Sequence, residues 1–176
     1  MAARSLSRRL LRALGLIALA ALALTVLPVL ALRWIDPWTS AFMLDARIQA
    51  LLARDFSFSN DYEWRDLEEI SPHAAIAVIA SEDQLFAFHD GFDFKSMREA
   101  MRSNARGHKV RGASTITQQV AKNLFLWKGR SYFRKGLEAW FTVLMESLWP
   151  KERTLEIYLN IAEFGRGTWG VEPIYG

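Results

Sequence analysis

The sequence contains no cysteine and only three histidines among its 176 residues. It therefore offers neither a disulfide framework nor a thiolate metal site, and the scattered histidines argue against a transition-metal centre. Repeats, low-complexity tracts and runs of alternating β-branched residues are also lacking, which argues against a repeat protein, a disordered chain and a sheet-based fold. Because 51% of the residues are apolar, the chain can bury a sizeable core. Since no alternating runs predict strands, we expect a mainly α-helical domain.

Positive charge is in slight excess, with a net charge of +3 and a pI near 9.4. Four arginines precede the first apolar segment, namely Arg4, Arg8, Arg9 and Arg12. Most of the other basic residues gather between Arg98 and Lys151, which favours an anionic ligand or a lipid surface over a nucleic-acid groove. We therefore expect no nucleic-acid partner.

An uncharged apolar run extends from Ala13 to Leu32. It has about the 20 residues that a helix needs to cross a bilayer, so it predicts a membrane span. The arginines before it and the sparser charge after it predict an N-terminus in the cytosol and the rest of the chain outside. Small residues around Leu22 leave a cleaved signal peptide open, but the run is longer than a signal core and continues past that site. We expect an uncleaved anchor.

Helical patterns follow the apolar run. Ser40 to Arg54 has apolar residues at roughly helical spacing, whereas Phe56 to Leu67 shows no clear periodicity and is predicted to be a loop. Ser71 and Pro72 open a helix that we expect to continue to Phe88, with Gly91 as its breaker. Asp93 should cap the next helix, which ends near Gly107. The basic segment Arg106 to Arg111 is predicted to be a mobile connector.

Three further helices are predicted in the last third of the sequence. The first is capped by Ser114 or Thr115, and its polar face consists of Gln118 with Lys122 or of Gln119 with Asn123. The second runs from Tyr132 to Leu148 and is expected to bury Leu137, Trp140, Phe141, Leu144 and Leu148, with Glu138 among them. The third runs from Lys151 to Phe164, with Gly165 at its C-terminal cap.

The stretch ASEDQLFAFHDGFD, residues 80–93, concentrates acidic residues directly behind an apolar run. Acids are seldom buried without a partner, so a Glu-Asp pair at the end of an apolar segment suggests a carboxylate at the lip of a cleft. We expect Glu82 to be a general base. Asp83, Asp90 and Asp93 are interpreted as caps and supports, and His89 as a hydrogen-bonding residue of the turn, with a substrate contact as its alternative.

Four motifs occur in order along the chain: EDQLFAFHDGFD, GASTITQQVAKNLF, RKGLE and EIYLNIAEFGRGTWGVE. Together they resemble the peptidoglycan glycosyltransferases of family 51, the polymerising module of bifunctional penicillin-binding proteins, over Ser71 to Glu172. The resemblance implies a lysozyme-like helical fold with one N-terminal transmembrane helix. It also implies an enzyme that polymerises lipid II, in which the acceptor sugar's 4-hydroxyl attacks the lipid-linked chain with inversion and release of undecaprenyl pyrophosphate.

The resemblance implies roles for individual residues. Glu82 corresponds to the base that deprotonates the acceptor hydroxyl, and Glu138 to a carboxylate on the leaving-group side, acting directly or through a divalent ion such as Mg²⁺. No cofactor is required. The substrate-binding positions are Ser114, Gln119, Lys122, Asn123, Arg130, Arg134 and Lys135, which offer the cations and donors that a pyrophosphate needs. Asp83, His89 and Asp93 are expected to support this site.

The resemblance also divides the chain. We expect a cytosolic basic tail (1–12), a transmembrane anchor (13–32), a membrane-proximal connector (33–70) and a glycosyltransferase domain (71–176). We expect that domain to be C-terminally incomplete, because the chain stops at Gly176, inside a region where the family continues with a helix of small residues, and Pro173, Ile174 and Tyr175 stand where alanines are usual. A single span without room for a transpeptidase domain indicates a monofunctional member.

The implied location is the bacterial inner membrane, with the catalytic domain in the periplasm. The implied partners are the membrane, lipid II and the lipid-linked growing glycan, and other cell-wall synthesis and division proteins stay open as partners. Two other functions also stay open: a lysozyme-like enzyme that cleaves glycans, and an inactive membrane-anchored scaffold of cell-wall synthesis.

Overall fold

The computed structural model describes residues 2–105 and 114–171. Within these ranges the α-helices are α1 (Ala2–Ala31), α2 (Ala41–Leu52), α3 (Pro72–Glu82), α4 (Phe94–Ala105), α5 (Ile116–Phe125), α6 (Tyr132–Leu148) and α7 (Lys151–Ile161). The expected mainly α-helical fold is confirmed. The predicted connector at Arg106 to Arg111 and the departures at Pro173 to Tyr175 lie outside the described residues.

Helix α1 is long and apolar enough to cross a membrane. Its segment Arg9–Ala31 has 23 residues, with a mean hydropathy of 2.5 in its apolar window and 6% of that window buried. Within the described ranges it is the only helix of this kind, and it is compatible with a single-pass anchor. No break separates the basic tail from the span, because α1 begins at Ala2 and continues through both.

The core lies where α5, α6 and α7 pack together with the C-terminal end of α1. Its largest fully buried apolar side chains include Val29, Ile116, Val120, Met145, Ile157, Leu159 and Ile161. Helix α2 contributes Met43, which is 1% exposed. Because α5 is held by apolar contacts on its other faces, its remaining polar face keeps a fixed position relative to α6 and α7.

The bounds predicted for α6 are correct, but its buried face is only partly so. Phe141 is buried and the three predicted leucines are partly buried against the core. The prediction for Trp140 is wrong, because its side chain is 39% exposed. Glu138 is buried as predicted, and Arg134 and Thr142 are buried in addition. Arginine is rarely buried without a partner, so apolar periodicity gave no reason to place Arg134 inside.

Helix α3 ends six residues earlier than predicted, at Glu82 rather than Phe88. Asp83 leaves the helical backbone with φ −159° and ψ 78°, and a short 3-10 helix, Phe86–Phe88, follows. The sequence pattern could not show this break, because the apolar residues continue on both sides of it. The early end matters for function, since it makes Glu82 the last helical residue.

Helix α7 also ends earlier than predicted, at Ile161 rather than Phe164. The residues after it form an antiparallel hairpin of β1 (Glu163–Gly165) and β2 (Thr168–Trp169). Gly165 therefore lies in a strand, and the prediction that it caps the helix is wrong. Strands of two and three residues are too short for an alternating pattern to be recognised in a sequence.

Candidate active site

A cleft of about 550 Å³ opens between the end of α3, helix α4 and the start of α5. Glu82 lines this cleft with an exposed side chain. Ser114 and Thr115 line it from the start of α5, and Lys95 and Glu99 from α4. Since Glu82 is the last residue of α3, its carboxylate lies at the C-terminal end of this helix, in the wall of the cleft.

Asp83, the residue after Glu82, binds the start of helix α5 through its side chain. Its side chain is buried, accepts a hydrogen bond from the backbone N–H of Ile116 at 3.0 Å and pairs with Nε2 of His89 at 2.9 Å. The first N–H groups of a helix have no partner within the helix and favour an anion. Asp83 thus supplies an N-terminal partner to α5, and the geometry agrees with a supporting role for Asp83 and His89.

Thr115, rather than Ser114, caps α5. Its hydroxyl accepts from the N–H of Gln118 at 3.2 Å and donates to the carbonyl of Gly91 at 2.7 Å. The Gln118 side chain accepts in return from the N–H of Thr115, which completes a capping box. The side chain of Gln118 is buried and makes its hydrogen bond within this cap, so it does not belong to the polar face of α5.

Asp93 has the capping role predicted for it at the start of α4. Its carboxylate accepts from the backbone N–H of Ser96 at 2.8 Å. The hydrogen bonds of Ser96 with this carboxylate hold the pKa of Asp93 below its usual value. Asp93 is therefore a structural anion, and it also lines the cleft that contains Glu82.

The polar face of α5 carries Gln119, Lys122 and Asn123. Nε2 of Gln119 donates to Oε2 of Glu82 at 3.0 Å. Lys122 follows one helical turn later, about 4.5 Å further along the helix axis. Asn123 stands beside them, and its Oδ1 is buried without a hydrogen-bond partner in the described part of the chain.

Glu138 lies in a cluster of cations on and around α6. It is 2% exposed, accepts from Nη1 of Arg134 at 2.9 Å and pairs with Lys135 through its other oxygen. Burial lowers the pKa of Lys122, an effect that the nearby charge of Glu138 opposes and those of Arg134 and Lys135 reinforce. Two cations thus pair with one carboxylate while the charge of Lys122 lies nearby, and the cluster is net positive.

Helix α5 therefore joins the two predicted carboxylates through neighbouring turns. Gln119 binds Glu82 on one side, and Lys122 interacts with the Glu138 cluster on the other. The remaining predicted substrate residues are more peripheral. Ser114 is exposed in the wall of the cleft, and Arg130 is exposed in the segment between α5 and α6.

Two residues near the site were not predicted to belong to it. Lys128 lies 5.1 Å from the ring centre of Phe42, and Lys122 lies 5.6 Å from the same ring. A ring face attracts cations, so Phe42 of α2 holds both lysines near the cluster. The sequence indicated only a basic segment after Trp127. It gave no sign that Lys128 contacts Phe42, because the two residues are far apart along the chain.

Tyr158 of α7 is buried close enough to Glu82 for the two to interact. Burial and the negative charge of Glu82 raise the pKa of Tyr158 to about 12. The phenol therefore keeps its proton at neutral pH. The sequence indicated Tyr158 only as a residue of the helix's apolar face.

The residues around Glu138 do not fit the divalent ion that the sequence left open. Both of its oxygens already pair with cations, and divalent ions prefer several oxygen ligands. Within residues 2–105 and 114–171 no group of three or more His, Cys, Asp or Glu side chains could hold a metal. The donor set is that of an anion site.

The transglycosylase family profile matches residues 49–174. The biosynthetic peptidoglycan transglycosylase of Xanthomonas campestris pv. campestris (strain B100) is 55% identical over 150 residues, which cover 85% of this chain and 61% of that relative. The protein of the same name from Xanthomonas axonopodis pv. citri (strain 306) is 52% identical over 166 residues, covering 94% and 68% respectively.

A third relative of that name, from Xylella fastidiosa (strain M23), is 50% identical over 161 residues, covering 92% of this chain and 66% of its own length. The chain thus spans about three fifths to two thirds of the length of these relatives. The match includes all four motifs and the helices that carry Glu82 and Glu138. The chain belongs to the transglycosylase family, whose domain has the lysozyme-like helical fold implied by the motifs.

Proposed function

We propose that this protein polymerises lipid II into peptidoglycan glycan strands. The observation that carries the proposal is the position of α5 between Glu82 and the cluster around Glu138. A carboxylate beside an open cleft suits an acceptor hydroxyl, which must lose a proton. A net positive cluster suits a pyrophosphate, which gains negative charge as its bond to the sugar breaks.

In the proposed reaction the 4-hydroxyl oxygen of the acceptor sugar attacks the anomeric carbon of the lipid-linked donor. The new C–O bond forms as the bond from that carbon to the pyrophosphate oxygen breaks, and the configuration inverts. Glu82 accepts the hydroxyl proton as general base. The electron pair of the broken bond passes to undecaprenyl pyrophosphate.

The cations of the cluster stabilise that leaving group. Lys122, Arg134 and Lys135 are the residues assigned to its phosphate oxygens, with Arg130 approaching from the exposed segment before α6. Glu138 holds Arg134 and Lys135 in place and limits the positive charge of the cluster. Gln119 orients Glu82, while Ser114 and Asn123 contribute hydrogen-bonding groups to the sugar and phosphate side.

The proposed location is the bacterial inner membrane, with α1 as a single span and the catalytic domain in the periplasm. The apolar length of α1 and the arginines before it support this orientation. A site joined directly to a span can reach a substrate whose lipid stays in the bilayer.

The test is polymerisation of labelled lipid II by the detergent-solubilised chain. We expect long glycan strands from the natural sequence and a loss of about 100-fold to 10,000-fold in rate for Glu82→Gln, the usual contribution of a general base. Glu152→Gln is the matched control, because Glu152 is exposed in the first turn of α7. Absence of polymer from the natural sequence, while a full-length Xanthomonas relative makes polymer, would overturn the proposal.

The two alternatives make different predictions in the same set of proteins. A lysozyme-like hydrolase would release soluble fragments from purified peptidoglycan, which needs no pyrophosphate site. A scaffold would keep its cellular role in the Glu82→Gln variant. The cation cluster around Glu138 favours transfer from a pyrophosphate over both.

A further inference from the structure

The C-terminal end of α1 is bound to the domain by hydrogen bonds with α7 and with the junction between α6 and α7. Arg153, in the first turn of α7, donates from Nε to the carbonyl of Leu32 at 2.9 Å and from Nη2 to the carbonyl of Ile35 at 3.0 Å. Its side chain is only 10% exposed. Both carbonyls lie just after α1, which ends at Ala31, so this largely buried guanidinium binds the backbone that leaves the helix.

The same guanidinium joins two further segments to this point. Nη1 of Arg153 pairs with Asp36 at 2.9 Å and with Glu156 at 2.6 Å, and the group lies 5.1 Å from the ring centre of Trp64. The other oxygen of Glu156 accepts from the backbone N–H of Leu67 at 2.9 Å. One side chain thus connects α7 with the end of α1 and with the segment before α3.

Two more hydrogen bonds cross the same joint. Nε1 of Trp149, which is 5% exposed, donates to the carbonyl of Val29 at 2.6 Å. Arg33 donates in the opposite direction, to the carbonyl of Leu148. Val29 itself is fully buried in the core. We call Val29, Arg33, Leu148, Trp149 and Arg153 the anchor joint.

The anchor joint differs from the end of a flexible tether. A tether needs no buried arginine, and a buried guanidinium is tolerated only when its donors are matched. Helices α5, α6 and α7 share one core, so an angle fixed between α1 and α7 is also fixed for the polar face of α5. The joint thereby determines how far Glu82 and the Glu138 cluster stand from the bilayer that α1 crosses.

We infer that Arg153 is a positioning residue that sets the orientation and height of the catalytic groove above the membrane. It touches no reacting atom, and it acts through α1 and α7. The inference rests on the proposed function where it concerns turnover, because lipid II presents its pyrophosphate at the membrane surface. The part of the inference that concerns the position of the domain relative to the bilayer does not depend on the proposed function.

The depth is measured first, without reference to activity. The chain has no cysteine, so Ala87→Cys, at an exposed position near the Glu82 turn, gives a single site for a fluorophore. The labelled full chain is placed in vesicles of phosphatidylethanolamine and phosphatidylglycerol that contain nitroxide lipids at two depths. We expect one narrow depth in the parent chain and a shifted or broadened depth in Arg153→Gln.

Arg166→Gln is the matched control for the depth measurement. Its charge change is the same, but the Arg166 side chain is 75% exposed, and its partners, Asp55 at 2.8 Å and the ring of Phe58 at 5.7 Å, lie outside the anchor joint. We expect this control to keep the parent depth. An Arg153→Gln profile identical to that of the parent and of the control would overturn the inference.

Turnover is measured next with two substrates. For Arg153→Gln we expect a rate at least about tenfold lower with bilayer-embedded lipid II, since small misplacements of reacting groups are costly, and within about twofold of the parent with a short-chain, water-soluble analogue. Arg153→Lys keeps the charge without the guanidinium geometry and should fall between the two. Equal losses on both substrates would indicate a merely structural role and overturn the inference.

If Arg153→Gln does not fold, the same measurements are made on Trp149→Phe. This substitution removes the hydrogen-bond donor to the carbonyl of Val29 and keeps an aromatic ring. Parent chain that is inactive on both substrates refutes the proposed polymerase function, whereas the depth measurement still decides on the anchor joint. The two failures are therefore distinguishable.

Discussion

Replacing Asp83 tests whether the turn that follows Glu82 is held by α5. Asp83→Ala removes the acceptor for the N–H of Ile116 and the partner of His89, both at about 3 Å in the structure. Asp83→Asn keeps a neutral oxygen for Ile116 but loses the negative charge that faces His89. The two variants therefore separate the capping bond from the charged pair.

The expected loss follows from these two contacts. A side-chain acceptor at a helix N-terminus contributes about 1 kcal/mol, and a hydrogen bond to a charged group about 1.5–3 kcal/mol. The Asp83 side chain is 3% exposed, so solvent replaces neither contact. We expect Asp83→Ala to lower the free energy of unfolding by roughly 2–4 kcal/mol and Asp83→Asn by about half as much.

Thermal unfolding in detergent measures this loss. For a chain of this size we expect Tm to fall by about 5–15 °C in Asp83→Ala. The control is Asp90→Ala, which removes an exposed acid from the same turn and should change Tm by little. Glycan synthesis is then measured below both transitions, where a displaced Glu82 should lower the rate about tenfold or more.

Two results would refute this reasoning. A Tm for Asp83→Ala equal to that of Asp90→Ala would mean that the contacts with Ile116 and His89 do not stabilise the turn. A lowered Tm with an unchanged rate of synthesis would mean that the turn is stabilised by Asp83 but does not position Glu82.

Three further predictions concern the same site. Gly91→Ala should destabilise by roughly 2–4 kcal/mol in thermal unfolding, because φ is +79° and the new Cβ would lie 2.6 Å from Cγ2 of Thr142; a Tm like that of Asp90→Ala would contradict it. Thr115→Ala should cost about 1–2 kcal/mol and Thr115→Ser much less, since serine keeps the capping hydroxyl; equal Tm values for the two would contradict it. A lysine is charged below its pKa, so the lowered pKa of Lys122 means that its cation is lost at a lower pH than in an ordinary lysine. Calorimetric binding of inorganic pyrophosphate should therefore weaken as the pH rises, roughly tenfold for one charged contact, and Lys122→Arg should remove that part of the decline; an unchanged decline in that variant would contradict the assignment.

Part of the polar face of α5 could be predicted from the sequence. The polar residues at Gln119 and Lys122 were predicted to face the site because helical spacing and the family resemblance both select them, and the structure places both on the polar face of α5. Spacing alone allowed either Gln118 or Gln119, and the resemblance selected Gln119. In the structure the Gln118 side chain completes the capping box of α5, while the Gln119 side chain binds Glu82.

Other features could not be predicted because they depend on contacts between distant segments. Lys128 and Lys122 lie over Phe42, which is about 80 residues earlier in the chain. Arg153 binds carbonyls more than 115 residues before it. Backbone carbonyls carry no sequence signal, so no pattern of side chains could have indicated the anchor joint.

The sequence by itself determined the mainly helical fold, the long apolar helix near the N-terminus, the family and the bounds of α6, because periodicity, apolar length and motif order are local properties of the chain. Only the tertiary structure decided where α3 stops, which of the α5 side chains reaches Glu82, and how the anchor is joined to the domain. These depend on which groups meet after folding. Hydrogen bonds such as those of Asp83 and Arg153 exist only once α5, α7 and the end of α1 have packed together.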